Sequence, residues 1–150
     1  MQLRTHLAIV ILGILLFFSL VEQKTIFVVV ALIASIFPDL DSAYSTFGKK
    51  KVFRFFQIFV KHRGFIHSFT FALLITLFFV IFVPVLAFGF FLGYGLHLFA
   101  DSFTKDGIAP FYPMKKKTSW KIVTGGKSEI GIFLIFVVVD LALVIFKIGF

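Results

Sequence analysis

Residues 65–101 read FIHSFTFALLITLFFVIFVPVLAFGFFLGYGLHLFAD. A membrane crossing takes about 20 residues at roughly 1.5 Å each, so the run from Phe65 to Ala100 is too long for one. Pro84 stands near its middle. Proline lacks an N–H and its ring collides with the preceding helical turn, so the stretch is predicted to form two helices that reverse there. Both ends of such a hairpin emerge on the same side. One end carries His67, and the other carries His97 and Asp101. The same observation therefore sets the topology and gathers chemistry at one level.

Three more apolar segments flank this one: Leu7–Val21, Thr25–Phe37 and Ile130–Ile148. The first two are short and are separated by Glu22-Gln23-Lys24, so they read as a full or a shallow re-entrant hairpin whose ends again share a side. The last is long enough to span. Leu7–Val21 superficially resembles a secretory signal, but Val21-Glu22-Gln23-Lys24 offers no small-residue cleavage site and the segment reads as retained. A hydrophobic content of 60%, with 25 phenylalanines, exceeds that of ordinary soluble domains. Mean hydropathy is +1.08. A chain of 150 residues without repeats, low-complexity tracts or a flexible linker is expected to be a single domain, residues 1–150. The predicted fold class is an all-α, multi-pass membrane protein with about four to five transmembrane helices.

The net charge of +8 is then a statement about orientation and anionic headgroups, and no nucleic-acid partner is expected. If the N-terminus, residues 39–64 and residues 101–129 share one side, all but Lys24 and Lys147 of the 15 lysines and arginines lie there. The positive-inside rule makes that side cytoplasmic. Residues 50–61 add an expected interfacial amphipathic helix. Lys50, Lys51, Arg54, Gln57 and Lys61 share one face, interrupted by Ile58, and Val52, Phe53, Phe55, Phe56, Phe59 and Val60 share the other. That pattern suits a helix lying in the headgroup plane.

All four histidines of the chain fall in this cytoplasmic layer. His6 precedes the first helix, Asp39 and Asp41 follow the second, His62 and His67 open the third, and His97 and Asp101 close the fourth. His97 and Asp101 are spaced i, i+4, on one helix face and within reach of one ion. Gly64 permits a change of direction that turns His62 and His67 toward a common point. Asp39 and Asp41, at i, i+2, cannot share a helix face, so Pro38 is expected to start an extended or turn segment. With no cysteine in the chain, ligands must be nitrogen and oxygen. The expected metal ligands are His6, Asp39, Asp41, His62, His67, His97 and Asp101. These exceed what one tetrahedral ion needs, so two ions, or one with supporting partners, are expected. Zinc suits the mixed set best, with manganese and iron as alternatives.

Several strings resemble the YdjM-like family of inner-membrane proteins, to which metal-dependent hydrolase activity is ascribed. They are Arg4-Thr5-His6-Leu7, Pro38-Asp39-Leu40-Asp41, His62-Arg63-Gly64-Phe65-Ile66-His67-Ser68 and Gly93-Tyr94-Gly95-Leu96-His97-Leu98-Phe99-Ala100-Asp101. Asp101-Ser102-Phe103-Thr104-Lys105-Asp106-Gly107, with Pro110 and Pro113, continues the likeness, which covers roughly residues 4–113. It implies a multi-pass inner-membrane protein with a divalent-metal site. Ile66 and Leu96 depart from the family pattern, which usually carries threonine and serine there.

Function follows as an expectation: hydrolysis by metal-activated water at the cytoplasmic membrane surface, most simply of a lipid-linked phosphoester. Asp39, Asp41 and Arg63 are the candidate catalytic residues. One aspartate would serve as general base, and Arg63 would either hold a phosphate or pair with an aspartate. A metal transporter or sensor, or a metal-stabilised scaffold without catalysis, is the alternative. Lys115, Lys116 and Lys117 with Trp120 read as an interfacial anchor. Asp140, in the middle of a span, reads as a buried polar pairing or interhelical contact. Ser68 and Ser102 are not expected to act as nucleophiles.

Overall fold

The structure is a computed structural model that describes residues 1–41, 64–114 and 116–149. Among these residues it is all-helical. The expected interfacial helix at 50–61 lies outside the described residues, as do His62 and Arg63.

Helix α1 (Leu3–Phe17) continues into a 3-10 turn, Phe18–Leu20, and ends where Glu22 and Gln23 bring polar groups into the chain. Helix α2 (Lys24–Ile36) tightens into a second 3-10 turn, Phe37–Asp41. This is the turn expected at Pro38, whose missing N–H interrupts the helical ladder. Helix α3 (Phe69–Phe82) starts later than its apolar run because Ser68 caps it: the Ser68 Oγ accepts from the Phe71 N–H at 3.2 Å. His67 consequently stands in the turn before α3, not on the helix. Helix α4 (Pro84–Ser102) has proline at its first position, where no N–H is required. It runs far enough to hold both His97 and Asp101. Helix α5 (Lys127–Gly149) closes the chain.

The centre of the bundle is the contact of α2 with α4. A Cβ on Gly93 would overlap the Ala31 carbonyl, and one on Gly89 would lie 3.0 Å from the Phe27 carbonyl oxygen. The two backbones therefore approach as closely as small residues permit, a packing mode suited to lipid. Phe27, Ala31 and Leu92 join Val10 and Ile14 of α1 in one apolar cluster. Phe90, Tyr94 and Leu98 join Ala34, Ala72 and Ile108 in another. Helix α3 covers the far side of α4, and α5 packs along α1.

Three helical segments, Leu3–Leu20, Pro84–Ser102 and Lys127–Lys147, are long and apolar enough to cross a membrane, and Phe69–Phe82 is a shorter apolar helix. Their outward faces are apolar: Leu73, Leu77 and Ile81 on α3, and Leu134, Ile135 and Val138 on α5. Such a surface suits hydrocarbon and not water. This is the architecture of a multi-pass membrane protein.

Residues 103–114 and 116–126 fold back over the helix ends. Isolated bridges join Thr104 to Ile122 and Ile108 to Thr118. Gly107 takes φ +59°, and a Cβ there would strike the Thr118 carbonyl, so this turn requires glycine. The Pro110 carbonyl accepts from the Phe69 N–H at 2.8 Å, and the Tyr112 carbonyl accepts from the Thr70 hydroxyl at 3.1 Å. The loop thereby braces the start of α3, beside His67.

Candidate metal centre

The five described side chains of the centre come from four parts of the fold. His6 projects from the first turn of α1, Asp39 from the 3-10 turn after α2, and His67 from the turn before α3. His97 and Asp101 project from the last turns of α4. His6, His67, His97 and Asp101 are buried, at 0–2% exposure, and Asp39 is half-buried. The side chain of Asp41 lies outside the described set, as do His62 and Arg63.

Asp101 is the hub. Its Oδ2 accepts from His67 Nε2 at 3.1 Å and lies 3.8 Å from His97 Nε2. Its Oδ1 lies 3.3 Å from His6 Nε2, and the Met1 ammonium stands against the same oxygen. Asp39 Oδ1 approaches His97 Nε2 to 3.9 Å. The His6 and His97 rings stack at 3.9 Å with 12° between planes, and the His67 ring meets His97 edge-on at 5.3 Å.

The orientation of His97 has an identifiable cause. Its Nδ1 lies 2.7 Å from the Ser35 carbonyl oxygen. A carbonyl only accepts, so Nδ1 carries the proton and the Nε2 lone pair of the neutral ring faces Asp39 and Asp101. In the 3-10 register that follows, the residue three positions beyond Ser35 is Pro38, which has no N–H to offer that carbonyl. A backbone acceptor on the outer nitrogen is a recurrent way to fix a metal-binding histidine.

Two groups of donors converge: His6, Asp39 and His97, and His67, His97 and Asp101, with the ligand atoms of each group within 4.8 Å of one another. Among the described residues, His97 Nε2 and both ring nitrogens of His6 make no hydrogen bond although they are buried. Burying imidazole nitrogens without partners is costly, and a cation answers that cost. The donor set, imidazole and carboxylate without thiolate, fits a divalent transition metal. Burial raises the Asp39 carboxyl above its ordinary pKa, and the charge of nearby His6 opposes the shift.

The neighbouring positions sort clearly. Tyr94 donates its hydroxyl to the Ile66 carbonyl at 2.6 Å, tying the His67 turn to α4 through backbone, so this contact does not depend on the residue-66 side chain. Leu96 packs with the α1–α2 cluster, over Gly13. Thr104 caps α4: its hydroxyl donates to the Asp101 carbonyl at 2.7 Å and accepts from the Gly107 N–H at 3.2 Å. Ser68 and Ser102 donate to the Phe65 and Phe99 carbonyls, as helix-end serines do. Asp140 is buried, and its Oδ1 has no hydrogen-bond partner among the described residues. Trp120 is exposed.

Sequence reasoning missed Ser35 and Glu129. A backbone carbonyl has no signature in the sequence. Glu129, in the first turn of an apolar helix, reads only as an acid placed favourably at a helix N-terminus. In the structure it is buried and accepts three hydrogen bonds, two of them from the start of α1.

Fold and site together define a helical, multi-pass membrane protein with a buried histidine–aspartate cluster that can hold a metal at its helix ends. The model of the YdjM inner membrane protein family matches residues 1–149, and the chain belongs to that family. No curated protein and no solved structure gives a match.

Proposed function

We propose that this protein is a metal-dependent hydrolase of the inner membrane, a single domain acting at the cytoplasmic surface on a lipid-linked phosphoester or related ester. One observation carries the reading: three histidines and two aspartates from four separate segments converge, and ring nitrogens there are buried without hydrogen-bond partners among the described residues. A closed structural site would use all of its donors on one tetrahedral ion. Here the donors form two overlapping groups. His97 cannot bridge two ions, because its Nδ1 is taken by Ser35. Asp101 would help to hold either ion, since Oδ1 faces His6 while Oδ2 faces His67 and His97.

When bound, zinc, or manganese or iron in its place, supplies Lewis acidity that polarises a phosphoryl or acyl oxygen and acidifies water. The protein's own residues then divide the work. His6, His67, His97 and Asp101 are the buried ligands. Asp39, which is half-buried, would accept a proton, with Asp41 as its companion by the reading of the sequence. His62 completes the ligand set and Arg63 holds the anionic group of the substrate, both by the topology argued from sequence. Lys116, Lys117, Lys121 and exposed Trp120 favour an anionic headgroup surface beside the site. The described ligands lie at one level of the bundle, which favours a rim site over a path for transported ions.

The test is elemental analysis of the detergent-purified protein beside His67→Ala and Asp101→Ala. The expected result is one or two equivalents of zinc, manganese or iron in the wild type, lost in both variants, with metal-dependent hydrolysis in a panel of lipid phosphoesters. Wild-type protein that stays metal-free after reloading overturns the reading.

A further inference from the structure

Glu129 belongs to no part of the centre, yet it is 1% exposed and fully engaged. Its Oε1 accepts from the Gln2 N–H at 2.5 Å and from the Thr5 hydroxyl at 2.9 Å. Its Oε2 accepts from the Gly125 N–H at 2.5 Å, inside the turn that opens α5. Thr5 is itself fully buried. The carboxylate thus clamps the first turn of α1 to the first turn of α5, joining points at opposite ends of the chain.

Elsewhere α5 is held loosely. Only 11% of its span is buried, and it meets the bundle along α1. Two further contacts follow that seam: Arg4 lies over the Phe133 ring at 5.4 Å, and Lys147 donates to the Leu15 carbonyl at the far end. Nevertheless, an apolar helix in lipid gains little from burying more leucine, because lipid tails are equally apolar. The buried hydrogen bonds at Glu129 are therefore the specific part of the seam. They act one residue from His6. If the Thr5 hydroxyl and the Gln2 N–H lose their acceptor, the first turn of α1 loses the contact that sets its rotation, and with it the direction of the His6 ring.

We infer that Glu129 is a positioning residue for the metal centre: through Thr5 and Gln2 it holds the α1 turn that presents His6 to Asp101 and His97. The inference rests on the metal-site reading above. It assigns α5, which contributes no ligand, a role in building the site.

The test compares the wild type with Glu129→Gln, Thr5→Val, Thr5→Ser and His6→Ala, all full-length in detergent. Two readouts are used: titration with cobalt(II) followed by its visible spectrum, and the 15N–1H ring signals of the histidines, with His6 assigned from His6→Ala. The amide of Glu129→Gln turns a donor toward one of three donors, whereas Thr5→Ser keeps the hydroxyl. We expect Glu129→Gln and Thr5→Val to weaken cobalt binding about 10–100-fold, the usual range for groups that orient a ligand. They should alter the spectrum as His6→Ala does and shift the His6 ring signals, while Thr5→Ser stays near wild type. Wild-type spectrum and affinity in both variants overturn the inference, even where their thermal midpoints fall, because that pattern belongs to a purely structural clamp. If wild-type protein binds no cobalt, the metal reading fails, and the ring signals decide the positioning role. His6 signals moved by Thr5→Val and restored by Thr5→Ser sustain it, and unmoved signals end it.

Discussion

His97 shows how much a single side chain can be constrained by groups that never touch the chemistry. The Ser35 carbonyl fixes the proton on Nδ1, and Pro38 has no N–H with which to compete for that carbonyl. Thr104 is the instructive contrast, because it adjoins the centre while its hydrogen bonds serve the end of α4. Thr104→Val should therefore lower the thermal midpoint by the equivalent of about 1 kcal/mol, the typical worth of such a bond. Metal content of the same sample should stay at the wild-type level. Loss of metal in a stably folded Thr104→Val protein would place the hydroxyl in the centre. At this scale the sequence was highly legible: in a chain so apolar, imidazole and carboxylate are expensive to bury, and their positions stand out. His6, His67, His97 and Asp101 were named from that cost together with the topology of the spans, and the structure brings these four side chains together. Glu129 was not, since an acid at the start of a helix has an ordinary explanation.

At the scale of elements, the α2–α4 contact sets the distance between Asp39, which follows α2, and His97 and Asp101, which α4 carries. Gly93 is the residue at closest approach. Gly93→Ala should force the helices apart, costing about 1–3 kcal/mol as overpacking does, and should reduce metal occupancy with it. Gly95→Ala is the matched control, because a Cβ there meets nothing within 4 Å. It should keep both stability and metal. Denaturation and elemental analysis of the two variants side by side check this. Pro84 made the α3–α4 reversal legible, and Pro38 the turn after α2. The late start of α3 at Phe69 was not, because hydropathy continues through His67 and Ser68 and only the serine cap marks the boundary.

For the whole molecule, the alternation of spans puts the N-terminal residues, the Asp39 turn, the His67 turn and the described residues between α4 and α5 at one end of the bundle. From the lysine and arginine bias we predict that this end faces the cytoplasm. The chain has no cysteine, so single cysteines report sidedness directly. In intact cells Glu22→Cys should react with a membrane-impermeant maleimide, whereas Lys121→Cys should react only after the membrane is opened. The opposite pattern would reverse the orientation.

By itself the sequence determined the fold class and the end of the bundle at which His6, His67, His97 and Asp101 gather. Both depend on the transfer of side chains between water and hydrocarbon, an energy that each residue carries wherever it sits. The tertiary structure decided which helices touch, which carbonyl orients His97 and which carboxylate ties the start of α1 to the start of α5. Those outcomes depend on backbone groups and on the close approach of distant segments, and a backbone carbonyl is the same at every position in a chain until folding selects its partner.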